Sequence, residues 1–64
     1  MTIHVELLTR DAQDRVTSMA TEQHATLEAA IKAARRLAGT RRQMERVGQL
    51  LRVSGPRGTA YVTR

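Results

Sequence analysis

The stretch from Thr26 to Gly39 constrains the fold of this 64-residue chain more than any other segment, because start, period and stop signals all predict one helix. Apolar residues recur within it at spacings of three and four, and charged residues occupy the other side. Thr26 is a suitable N-cap, and Gly39 can take the left-handed conformation that often ends a helix. We therefore predict a helix over residues 26–38. Its apolar stripe is Leu27, Ala30, Ile31, Ala34 and Leu37 or Ala38.

Short extended segments flank this helix. Apolar and polar residues alternate from Thr2 to Leu8, and β-branched residues over Arg15–Thr21 predict a second, weaker strand after a polar turn. Two more strands are predicted over Gln49–Ser54 and Thr59–Thr63, joined by a tight Gly-Pro-Arg-Gly turn. The chain is therefore predicted to be a single α+β domain over residues 1–64. Its order is β-β-α-β-β, with the helix packed on one face of a small antiparallel sheet.

Residues 40–48 fit this pattern poorly. Met44 and Val47 suit one turn of helix, whereas Gly48 and the arginine pair before Gln43 favour a loop. The first interpretation is an irregular segment with a short helical turn. In the second, residues 40–52 form another helix followed by a wing, at a cost of about 1 kcal/mol for a glycine in the helix interior.

The core must be aliphatic, because the chain has no Phe, no Trp and one Tyr. The expected core residues are Ile3, Val5, Leu7, Val16, Met19, Leu27, Ile31, Leu37, Leu51, Val53 and Val62. A domain of this size buries only about 60% of its unfolded surface. A homodimer or a dedicated partner that adds buried surface is therefore expected.

The net charge of +5 is unevenly distributed along the chain. Residues 1–31 hold two arginines against five acids, a balance of −3, whereas residues 32–64 hold nine Lys or Arg against one Glu, a balance of +8. Ten of the eleven cations are arginines, which bind phosphate or carboxylate with two parallel hydrogen bonds. The second half therefore favours a polyanionic partner.

No membrane partner is expected, because no segment approaches the roughly 20 apolar residues of a spanning helix. A cytoplasmic location is expected, because the N-terminus lacks a basic segment followed by a long apolar run.

Few residues are suited to catalysis. The chain has no cysteine, and His4 and His24 lack the close spacing of metal ligands. Asp11 and Asp14 flank a hairpin turn, where aspartate commonly bonds to the backbone. The serines have no neighbouring base, and the glycines form no phosphate-binding loop. We therefore predict a protein that is not an enzyme and that has no metal site and no cofactor.

The candidate binding residues share the second half of the chain and a basic or aromatic side chain. They are Lys32, Arg35, Arg36, Arg41, Arg42, Arg46, Arg52, Arg57 and Tyr61. Arg57 is at the tip of the last hairpin, where a side chain can reach a phosphate. Alternation places Arg52 and Tyr61 on the sheet face opposite the helix, near His4, as a weak stacking platform for a base or as a protein-binding surface. The alternative is that these cations form an ordinary solvated surface.

Two resemblances follow from these patterns. The helix sequence, followed by Leu51–Gly55 and a turn containing glycine, resembles small uncharacterised bacterial β-β-α-β-β domains. In size and element order it also resembles compact phage-encoded anti-CRISPR proteins that act on type I surveillance complexes. That resemblance implies a non-enzymatic inhibitor in the host cytoplasm that docks on a nucleoprotein. Residues 47–62 are similar to the wing hairpin of some winged-helix repressors, although the helices that precede a recognition helix in that family have no counterpart here.

The first functional hypothesis is a small non-catalytic binding protein whose arginine-rich second half engages nucleic acid or a nucleoprotein, mainly through phosphates. The alternative is a phage or mobile-element inhibitor that docks on an acidic protein surface of its target and blocks it sterically. The two hypotheses differ in whether the isolated protein binds DNA or RNA.

Overall fold

One helix packs across one face of a five-stranded antiparallel sheet. The computed structural model describes residues 2–40, 43–48 and 50–64. The elements in chain order are β1 (Ile3–Arg10), β2 (Val16–His24), α1 (Leu27–Ala38), β3 (Gln43–Val47), β4 (Leu50–Gly55) and β5 (Gly58–Thr63). The strand order is β2-β1-β5-β4-β3, so β2 and β3 are the edges. The predicted α+β class is confirmed, with one strand more than predicted.

Both interpretations of residues 40–48 are wrong for the part that the structure describes, because Gln43–Val47 is strand β3. This strand pairs with β4, and Met44 lies opposite Val53. Gly48 follows it with a φ of 63°, which glycine adopts without strain in a tight turn. Among the described residues α1 contacts the other four strands but not β3. A strand that no helix covers has no need of apolar alternation, so the sequence carried little signal for it.

The predicted helix is confirmed, and so is its N-cap. Thr26 Oγ1 accepts a hydrogen bond from the backbone N–H of Ala29 at 3.2 Å. At the other end the backbone N–H of Gly39 donates to the carbonyl oxygen of Arg35 at 3.2 Å. Gly39 has a φ of 107° and a ψ of −170°, a positive φ but not the left-handed helical conformation that was expected. The chain therefore leaves the helix at Gly39, a few residues after Arg35 and Arg36.

Alanines supply the helix side of the core. The buried hydrophobic residues are Ile3, Val5, Leu7, Ala30, Ala33, Ala34, Ala38, Leu51, Val53, Ala60 and Val62. Leu27, Ile31 and Leu37, which were predicted in the core, pack against it only partly buried. Because alanine has the shortest apolar side chain, the backbone of α1 can lie close to the sheet while its larger residues flank the contact.

The prediction that Val16 and Met19 lie in the core is wrong. Their side chains are 57% and 64% exposed. Both residues are on the edge strand β2, whose register against β1 shifts between Leu7 and Leu8. Such a shift marks a β-bulge, which places an extra residue in one strand and interrupts the alternation from which burial is predicted.

The first hairpin turn has the structure expected for its aspartates. Asp11 Oδ1 accepts hydrogen bonds of 2.9 Å from the backbone N–H groups of Gln13 and Arg15. Asp14 has a φ of 64°, a conformation that aspartate tolerates better than most residues. These contacts account for both aspartates as turn residues.

Candidate functional site

An open groove of about 570 Å³ lies where the end of α1 meets the turn between β4 and β5. It is lined by Lys32, Arg35, Arg36, Gly39, Thr40, Pro56 and Arg57. Four of these seven residues are cations and none is an acid. This surface is called the basic groove below.

Two elements present the cations of the basic groove. Lys32, Arg35 and Arg36 are three and four residues apart, so they lie on one face of α1. Arg57 comes from the β4–β5 turn, and its backbone N–H donates to the carbonyl oxygen of Ala38 at 3.1 Å. This hydrogen bond joins the turn to the last residue of the helix. The groove therefore depends on a contact between segments about twenty residues apart in sequence.

Two glycines allow this close approach. A Cβ atom at Gly55 would lie 2.2 Å from the carbonyl oxygen of Ala38, and one at Gly39 would lie 2.8 Å from Cγ of Pro56. Neither distance is compatible with a real side chain. The glycines thus let the turn pack directly on the helix end, which fixes the backbone from which Arg57 projects. A site on rigid elements loses little conformational entropy when a ligand binds.

The four cations of the groove differ in how far they are neutralised. Arg36 Nη2 lies 2.6 Å from Oε2 of Glu22, and Lys32 Nζ lies 3.7 Å from Oε1 of Glu28. Arg35 and Arg57 form no salt bridge with any residue in the described part of the chain, so their charges are available to a ligand.

Glu22 links β2 to the helix beside the groove. The hydrogen bond from Arg36 is the largest influence on its carboxyl group and holds the pKa of Glu22 below its usual value, although partial burial opposes this. His24 Nε2, 3.0 Å from Glu22 Oε1, also favours the ionised form. Because carboxylate and guanidinium stabilise each other's charge, Glu22 ties α1 to the edge strand at neutral pH.

Acidification is therefore expected to weaken the fold through Glu22. The lowered pKa means that the stabilisation is fully present above the usual pKa of 4.5 and is lost as the pH falls through the folded value. The wild-type protein is expected to lose free energy of unfolding between about pH 6 and pH 3, and Glu22→Gln is expected to lose less over the same range, as measured by urea unfolding. Glu28→Gln is the matched control, because the carboxylate of Glu28 is 82% exposed and its one ion pair within the described part of the chain is a 3.7 Å contact with Lys32. Equal pH dependence of stability in the wild type and Glu22→Gln would contradict the assignment of this acid-dependent loss to Glu22.

Arg52 and Tyr61 lie on the sheet face opposite α1. They are cross-strand neighbours on β4 and β5, and Glu45 lies opposite Arg52 on the other side. Arg52 forms an ion pair with Glu45, which together with the weaker effect of the Tyr61 hydroxyl raises the pKa of Arg52 further above its usual value. Glu6 lies opposite Tyr61 on β1. Among the residues that the structure describes, the charge of Arg52 on this face is therefore compensated by an acid, unlike the charges of Arg35 and Arg57 in the groove.

The structure divides the predicted binding residues into separate places. Lys32, Arg35, Arg36 and Arg57 meet in the basic groove. Arg52 and Tyr61 are on the opposite face, Arg46 is exposed on the edge strand β3, and Arg41 and Arg42 lie outside the described residues.

Three lining residues of the groove were not predicted from sequence, namely Gly39, Thr40 and Pro56. Their only sequence signal is that they end the helix or form the β4–β5 turn. That signal says nothing of the contact between the two segments.

Other kinds of site have less support. Within residues 2–40, 43–48 and 50–64, no three His, Cys, Asp or Glu side chains are grouped so that they could hold a metal ion. In the same part of the chain, no helix has the length and apolar character needed to cross a membrane.

Comparison with known proteins adds no family to this description. A scan against protein-family models found no match, a search of curated proteins found no relative, and a search of solved structures found no neighbour. The resemblances to anti-CRISPR proteins and to winged-helix hairpins therefore stay predictions, and the basic groove is the feature from which a function can be inferred.

Proposed function

We propose that this protein binds nucleic acid, alone or within a nucleoprotein, through phosphate contacts in the basic groove. The observation that carries the proposal is the meeting of four cations from two elements in a lining without acids. Guanidinium groups match the oxygens of a phosphate, and each neutralised phosphate releases bound counterions into solution. A groove of this composition therefore gains affinity from any phosphate backbone.

The cations of the groove also set the salt dependence of binding. Arg35 and Arg57 offer two contacts without breaking an ion pair, and Lys32 and Arg36 offer two more if their acids are displaced. For B-DNA the slope of log affinity against log salt is then about −1.8 for two contacts and about −3.6 for four.

The double substitution Arg35→Gln with Arg57→Gln is expected to weaken binding about 10- to 100-fold. Each substitution removes a hydrogen bond from a charged, partly exposed group, and such a loss costs about 1.5 kcal/mol or less. The slope should become shallower by about 1.8. Fluorescence anisotropy with a labelled duplex across about 50 to 200 mM salt measures both quantities. Glutamine is chosen because it keeps the helix propensity at residue 35.

The matched control is Arg46→Gln with Arg64→Gln. It removes the same charge from two exposed residues outside the groove. We expect at most about a twofold loss from this weaker, long-range effect. If both double variants lost affinity equally, binding would follow net charge and not the groove, and the proposal would be wrong.

An acidic protein surface is the second candidate partner. Glu22 already binds Arg36 at the side of the groove in the way that a carboxylate of a partner would. In this case the protein would act as an inhibitor of phage or mobile-element origin that blocks its target sterically. The absence of any DNA or RNA binding at low salt would favour this candidate over the first.

The homodimer expected from the small core stays a prediction. The strand β2 is the edge at which we propose that two copies would pair. It spans nine residues, and Val16 and Met19 are exposed on it. The free outer side of an edge strand offers unpaired backbone groups to a second strand.

A further inference from the structure

We infer that the basic groove binds double-stranded nucleic acid in preference to single strands. This inference rests on the proposed function and names the class of nucleic acid for the same groove. Two observations carry it: the location of Tyr61, the one Phe, Tyr or Trp of the chain, and the rigidity and charge of the groove.

The groove has no aromatic side chain on which an unpaired base can stack. Sites for single strands combine cations with aromatic rings, and each stacked base contributes about 1–3 kcal/mol. The chain has no Phe and no Trp, and its one Tyr is Tyr61. That residue lies on the sheet face opposite α1, between Glu6 and Arg52 on the neighbouring strands. A strand bound along the end of α1 therefore gains phosphate contacts but no stacking on this ring.

A site that gains affinity only from phosphates favours the ligand with the higher charge density. Duplex DNA carries one negative charge per about 1.7 Å of its axis, against one per about 3.4 Å along each strand. Each contact also releases more counterion from the duplex, so four contacts predict slopes of about −3.6 for duplex DNA and −2.8 for a single strand. Both differences favour the duplex.

The rigidity of the groove also favours the duplex over a single strand. Its two walls are a helix end and a tight turn, joined by the hydrogen bond from Arg57 to Ala38. A flexible single strand must lose conformational freedom to follow such walls, whereas a duplex has lost most of this freedom already. The groove thus presents a fixed set of charges to a ligand with a fixed backbone.

Competition against a labelled duplex tests the inference. The competitors are an unlabelled duplex of about 20 base pairs and an oligothymidine of about 20 nucleotides, which forms no hairpin. The duplex is expected to bind more than about threefold tighter at 50 mM salt, with the steeper salt slope. Tyr61→Thr removes the one Phe, Tyr or Trp ring of the chain and leaves the groove intact, so affinity for both ligands should change less than about twofold. The comparison of the two ligands with the wild-type protein holds even if this variant does not fold.

The outcomes separate the inference from the function on which it rests. Oligothymidine binding as tightly as the duplex, or a fivefold or larger loss of single-strand affinity in Tyr61→Thr, would overturn the inference and leave nucleic-acid binding in place. Binding of neither ligand at low salt would overturn the proposed function itself, and this inference with it.

Discussion

Replacing Gly55 with alanine is expected to lower the free energy of unfolding by about 3 kcal/mol, the upper end of the usual cost of overpacking. The added Cβ would lie 2.2 Å from the carbonyl oxygen of Ala38 and 2.8 Å from its carbonyl carbon. Both atoms belong to the backbone at the helix end, so no flexible side chain can move aside. The turn must move away from the helix, which also strains the hydrogen bond from Arg57 to Ala38.

Thermal and urea unfolding measure this loss. For a domain of this size, 3 kcal/mol corresponds to a fall in Tm of about 12 to 24 °C. Gly48→Ala is the control, because Gly48 has a φ of 63° but nothing within 4 Å of an added Cβ. It should cost only the backbone strain of about 1 kcal/mol. If Gly55→Ala were no more destabilising than this control, the turn would not be held against the helix as closely as the structure shows.

The parts of the fold that local sequence determines were predicted. The limits of α1 follow from the cap at Thr26, the apolar period and Gly39. The β4–β5 hairpin follows from its turn, in which Gly55 pairs with Gly58. In both cases the residues that specify the structure are within a few positions of it, so no knowledge of the rest of the chain is needed.

The parts that depend on distant contacts were not predicted. β3 is a strand because β4 is available to pair with it, and the exposure of Met44 at 45% shows how little burial accompanies that pairing. The helix side of the core was expected to come from Leu27, Ile31 and Leu37. It comes instead from four buried alanines, because the distance between helix and sheet is set by both elements together.

The same distinction between local and distant contacts applies to the candidate site. The helical spacing predicts that Lys32, Arg35 and Arg36 share a face, but their meeting with Arg57 requires the strand order that returns the β4–β5 turn to the end of α1. Arg52 was predicted as a binding residue together with the others. Its ion pair with Glu45 exists only because β3 is a strand. The prediction did not include β3, so it could not show that the charge of Arg52 is neutralised.

Close backbone approach is the common physical basis of the core and the groove. Alanines allow α1 to lie near the sheet, and Gly55 allows the turn to lie against the last residue of that helix. A helix held further from the sheet would move its end away from Pro56 and Arg57. The packing of the core therefore controls the geometry of the basic groove, although no core residue lines it.

Adding apolar volume to the buried face of the helix is accordingly expected to destabilise the protein, even though its core is small. Ala34 is 0% exposed and lies within a set of buried alanines. In Ala34→Leu three further carbon atoms must fit between α1 and the sheet, and we expect a loss of about 2–3 kcal/mol, measured by urea unfolding at neutral pH. The structural cause is that the helix must lift from the sheet or the new side chain must leave its preferred rotamer.

Glu28→Leu provides the matched control for this substitution. It adds a leucine to the exposed face of the same helix, where the expected change in stability is within about 0.5 kcal/mol. A neutral or stabilising Ala34→Leu would contradict the prediction, since it would mean that α1 can move away from the sheet at little cost. The buried alanines would then not fix the position of the helix end, and the groove would have to be held by the contacts of Gly55 and Arg57 with Ala38.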